Sequence, residues 1–101
     1  MIYLELLARK IYQRAGGTEP LTDSNLTLYL GYAVLAYAKG AQVTPHDVHN
    51  AWVAWAFVEM RGHPSLVPFQ ELPVATQRKD ERFVEAIRDV ASDMGGGGSE
   101  P

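Results

Sequence analysis

The chain has 101 residues, 47% of them apolar and 21% charged, with a formal net charge of −3 and no cysteine. That length supplies one hydrophobic core rather than two. The missing cysteines exclude disulfides and thiolate metal centres and fit a reducing, cytoplasmic setting, and the acidic balance lacks the basic face that nucleic-acid binding requires.

Apolar residues recurring through Ile2–Ala15 predict a first helix, with Leu4, Leu7, Ala8 and Ile11 in one stripe and Gly16–Gly17 as its stop. The charges within MIYLELLARK mark this opening as part of the fold and not a secretory leader. Asp23 or Ser24 is placed to cap a second helix, Asn25–Lys39. That helix is apolar on nearly every side, so it is expected to be buried all round or to form a seam between two copies of the chain. Its apolar run, Leu26–Ala38, falls short of the roughly 20 residues that span a bilayer, so no membrane association is expected.

The third helix carries the clearest local signals: Thr44 as N-cap, Pro45 in the first helical position and Asp47 in the first turn. Val48, Ala51, Trp52, Trp55 and Val58 predict a core stripe, and Gly62 a stop. From His63 to Pro73, three prolines (Pro64, Pro68, Pro73) fix φ and bias their predecessors towards extended geometry, which predicts an ordered crossing anchored by Leu66, Val67, Phe69 and Leu72. A last amphipathic helix is expected over Asp80–Ser92, with Phe83, Val84, Ile87 and Val90 on its apolar face. The expected architecture is a single all-α domain over residues 1–93, a compact bundle of about four helices with the proline-rich crossing between the third and fourth. Residues 94–101, MGGGGSEP, read as a flexible tail.

The conspicuous side chains gather where the third helix meets the crossing. Trp52, Trp55 and Phe69 can form flat walls, with His49, His63 and Ser65 as polar groups and Arg82 within reach of an anionic group, which together suit a small-molecule site. Aromatics at helical spacing serve equally well as core. His49 is expected to bond across to the backbone of the crossing and hold it. His46 and His49 have a chelating spacing, but no HExxH pattern or cysteine accompanies them, so neither a metal nor a cofactor is expected. With no nucleophile elbow and no phosphate-cradling glycine loop, no catalysis is expected either.

The order HNAWVAWAF, HPSLVPFQELP, QRKDERFVEAI resembles the repeat domain named after ryanodine receptors, in its small bacterial and phage versions. The matching residues are His49 and Trp52, then His63, Pro64, Leu66, Val67, Pro68, Phe69, Glu71, Leu72 and Pro73, then Lys79, Asp80 and Phe83. YAVLAYAKG and VTPHDVHNAW also resemble a small uncharacterised family of actinobacteria and their phages. The repeat resemblance implies a non-catalytic helical module whose bacterial members are suspected of binding nucleotide-derived ligands. For a phage-encoded protein it implies a site of action in the host cytoplasm, sequestering a defence signal. Two expectations result: a module for a nucleotide-derived small molecule, and a homodimeric or higher assembly module acting through the second helix.

Overall fold

The computed structural model describes the backbone of residues 1–98 and the side chains of residues 1–94. It contains α1 (Tyr3–Arg14), α2 (Asp23–Lys39), α3 (Pro45–Glu59), the short α4 (Val74–Arg78) and α5 (Glu81–Gly98), with 3-10 turns at Gly40–Gln42 and Phe69–Glu71. No strand occurs among the described residues. The all-α bundle with an ordered crossing is therefore the observed fold. α5 continues past Ser92 and Met94 into the glycines, and residues 99–101 of the expected tail lie outside the described residues.

α1 buries Leu7, Ala8 and Ile11, on the stripe its periodicity predicts. The chain leaves it through Gly16, whose φ of 99° favours glycine. Thr22, rather than Asp23 or Ser24, caps α2 by accepting the Asn25 N–H at 3.1 Å. The helix thus begins two residues earlier than expected, which puts the Asp23 carboxylate in the first turn, where the exposed amides favour a negative charge.

α2 packs against α1, α3 and α5 and buries Tyr29, Tyr32, Ala33 and Ala36. Tyr29 makes edge contacts with Tyr12 and Tyr32, each with ring centroids 5.2 Å apart, and Phe83 of α5 sits 5.8 Å from Tyr32. The expectation of burial on every side is corrected here. Val34 and Tyr37 remain 51% and 53% exposed, because three helical neighbours cover only part of the cylinder.

α3 opens with a full capping box: Thr44 Oγ1 accepts the Asp47 N–H at 3.2 Å and Asp47 Oδ2 accepts the Thr44 N–H at 2.9 Å. Lys39 Nζ adds a 3.0 Å ion pair to Asp47 Oδ1. Val48, His49 and Ala56 are buried, yet Val58 at the end of the predicted stripe is 71% exposed. The contacts of that end run to α2, where Trp55 Nε1–H donates to Ser24 O at 2.8 Å and Ser24 Oγ donates to Glu59 at 2.9 Å, so Val58 has no second wall to enter.

The crossing begins after Gly62, at φ 96°. Of its four expected anchors only Leu72 is buried; Leu66, Val67 and Phe69 are half-buried. Hydrogen bonds hold the rest. His49 Nε2–H donates to Val67 O at 2.6 Å, and the Gln77 side-chain amide donates to both Phe69 O and Leu72 O at 3.1 Å. Arg88 clamps the other side of the bundle, donating through Nε and Nη2 to Val43 O at 2.9 and 2.6 Å and so tying α5 to the start of α3.

Burial pushes the Asp47 carboxyl up, but the Thr44 amide, the Lys39 ammonium and the Thr44 hydroxyl outweigh it and hold the group below the usual carboxylate range. A carboxyl depressed in the folded state contributes stability above its unfolded pKa and loses it as pH falls through the folded one. Asp47→Asn is therefore expected to cost about 1 kcal/mol at neutral pH, typical of a lost cap. Urea melts of both proteins should show that difference shrinking as the pH drops below the carboxylate range. Cutting the other link, His49→Ala, is expected to accelerate amide hydrogen exchange across Ser65–Leu72 while α1 and α5 stay protected; unchanged exchange there would show that the imidazole does not hold the crossing.

Candidate functional site

α2, α3, the crossing and the α4–α5 joint enclose a cavity of about 300 Å³. Leu28 and Tyr32 of α2 form one side, and His49 and Trp52 of α3 the next. His63 and Ser65 close it from the crossing, with Leu72 beneath, and Thr76, Lys79, Asp80 and Phe83 line it from the joint. The size lies at the lower end for ligand pockets and suits one ring system better than a whole cofactor.

Neighbouring bonds assign one ring nitrogen of each histidine as donor or acceptor. A carbonyl only accepts, so His49 carries its proton on Nε2, facing Val67. His63 Nδ1 accepts the Ser65 N–H at 3.0 Å, which leaves Nε2–H as the donor of the neutral ring. The Trp52 indole contacts both rings, stacked on His49 at 5.8 Å and edge-on to His63 at 5.1 Å. Its orientation is thus fixed by two groups that are themselves hydrogen-bonded.

Asp80 is the group that periodicity and composition conceal. Expected as the first residue of the last helix, it stands just before α5, and its Oδ2 is buried with no hydrogen-bond partner among the described residues. Burial pushes this carboxyl up, against the opposing pull of His49. Tyr32, Lys79 and Phe83 were likewise not among the expected site residues; Tyr32 and Phe83 were read as parts of the apolar faces of their helices.

The expected residues divide. His49, Trp52, His63 and Ser65 line the cavity. Trp55 lies away from it, in a groove between α2 and α3 that includes Gly31, Ala51 and Ala54. Phe69 turns towards His46, with centroids 4.5 Å apart, and touches the site only through the edge of His49. Arg82 occupies an adjoining open cleft with Arg78, Glu81 and Glu85. Lys79 and Phe83 line both cleft and cavity, so the two adjoin. Among the described residues no three His, Asp or Glu side chains converge to hold a metal, and no helix is long and apolar enough to cross a membrane.

Searches of curated proteins and of solved structures returned no match to the chain. One family profile matches residues 2–92 and carries the description "Domain of unknown function (DUF7701)". This overturns the resemblance to the ryanodine-receptor repeat. The matching family takes in α1 and α2, which that resemblance left out, and the residues that suggested it have local structural causes: His49 is the donor to Val67 O, Leu72 is buried, and Pro73 opens α4. A histidine pinning a proline-stiffened strap to a helix needs that residue order in any fold. Matched over nearly its whole length, the chain belongs to the family described as a domain of unknown function (DUF7701).

Proposed function

We propose that the protein is a non-catalytic, cytoplasmic small-molecule-binding module, taking a nucleotide-derived ligand that it senses or sequesters. The observation that carries this reading is the joined pair of cavity and cleft. The cavity is lined by the Trp52 and Phe83 rings and by the polar groups of His63 and Asp80, residue types that suit stacking and edge recognition of a base. The cleft next to it offers Arg78, Lys79 and Arg82 to a phosphate, and Glu81 and Glu85 line the same cleft. Lys79 bridges the two.

Thermal-shift titration against the four ribonucleoside monophosphates, cyclic nucleotides and ADP-ribose is expected to reveal at least one that raises Tm. A ligand at 100 times its Kd adds about 2.7 kcal/mol to the stability. Trp52→Ala should weaken that ligand by about 1–3 kcal/mol through lost stacking. No shift with any of them rejects the reading.

A second reading rests on a different surface. Ile2, Tyr3 and Leu6 at the start of the chain and Val34 and Tyr37 of α2 are all more than half exposed, and the edge contact of Tyr3 with Tyr37 at 5.6 Å joins the two groups. Such a patch suits self-association into a homodimer. Light scattering coupled to size exclusion should then give a dimer mass that Tyr37→Lys converts to a monomer of unchanged Tm; a monomer at every concentration excludes the dimer.

A further inference from the structure

We propose that two copies of the chain pair antiparallel along the exposed side of α2, with Val34 of each copy seated over the partner's Gly31. This rests on the homodimer reading above and supplies its contact geometry. Thr27, Gly31, Val34 and Ala38 recur at steps of four, three and four residues. That is the spacing of a coiled-coil seam, and it lays all four on one stripe of the helix. Thr27, Val34 and Ala38 are exposed and Gly31 is half-buried, so no other element among the described residues covers the stripe.

Gly31 is the residue that the single chain does not explain. It lies inside α2 with a φ outside the left-handed region, where glycine weakens a helix relative to alanine. A methyl group at that position would meet only Ala51 Cβ, at 3.9 Å, an ordinary contact. Neither backbone conformation nor internal packing therefore calls for glycine. What its missing side chain offers is a close approach from outside.

The stripe is complementary to itself. Antiparallel pairing about a twofold axis midway between Gly31 and Val34 sets each Val34 against the partner's Gly31 and each Thr27 against the partner's Ala38, so that a larger residue faces a smaller one at every contact. None of the four is charged, so two negatively charged chains meet where neither brings a charge, and a partner of opposite charge finds nothing there to pair with. The Thr27 hydroxyl already donates to Asp23 O at 3.1 Å and needs no partner across the seam. By itself the stripe is narrower than the roughly 800 Å² per partner that a stable dimer buries. Tyr3 and Tyr37, together with the Ala54 and Val58 that line the groove with Thr27 and Gly31, widen it with exposed apolar surface.

The test is sedimentation equilibrium of the full chain and of charge variants at positions 27 and 38, both exposed in the single chain and so tolerant of substitution. The parent is expected to be a dimer. Thr27→Glu and Ala38→Lys should each raise the dissociation constant by about tenfold or more, because each puts a charge against an uncharged residue of the partner. Combining the two in one chain should restore the parent's affinity, since each new carboxylate then faces a new ammonium of the partner. Within one helix the two positions are about 16 Å apart, too far to pair with each other. Single variants without effect, or a double variant no tighter than either single one, overturns this pairing; if Tyr37→Lys still separates the dimer, the homodimer reading stands on another geometry. A monomer at every concentration rejects the pairing and the homodimer reading together, and leaves the stripe to a helix of another protein.

Discussion

The bond from His49 to Val67 O is the constraint on which the rest of the site depends. His49 is 3% exposed, the one polar side chain in the buried set among the described residues, and a buried imidazole that failed to find a partner would be costly. The crossing answers with a carbonyl at a fixed place. Pro68 follows Val67, so no N–H competes there and the preceding residue is biased towards extended geometry. From this one bond come the stand-off between α3 and the crossing, the tautomer of His49 and the surface on which Trp52 stacks.

The two ends of the cavity are built on opposite principles. On the His49 side one nitrogen of each histidine beside the indole is bonded to the crossing, His49 Nε2 to Val67 O and His63 Nδ1 to the Ser65 N–H, which holds that wall in place. At the α4–α5 joint a carboxyl oxygen is left unsatisfied in a buried position. Local sequence and local structure usually agree along a well-folded chain, and the places where they part are where something other than stability has been selected. An aspartate in a capping position whose Oδ2 takes no cap bond is such a place.

Much of the fold was legible because its signals are local. The Thr44, Pro45, Asp47 start of α3 needs only neighbouring residues to be understood, and the α1 stripe of Leu7, Ala8 and Ile11 follows from the helical period alone. The exposure of Val34, Tyr37 and Val58 was not legible, because it depends on how many neighbours surround a helix and not on its own pattern. The same division runs through the site. His49 could be anticipated as the link to the crossing, since a histidine one turn into a helix beside a proline-rich strap has few other roles. Trp55 and Phe69 were expected in the pocket on residue type, and the turn of α3 and the half-burial of the strap carried them elsewhere. Asp80 was hidden by its position: read as the first residue of an amphipathic helix, it gave no sign that its Oδ2 would be buried without a partner.

The proline-stiffened crossing bears on kinetics as well as shape. Three of its eleven residues have φ fixed by their own rings, and three side-chain hydrogen bonds fasten its carbonyls to α3 and α4. The conformational entropy of that wall is therefore surrendered when the chain folds, and little is left to lose when the cavity fills. A wall preorganised in this way favours docking over slow closure for any small molecule that enters the cavity.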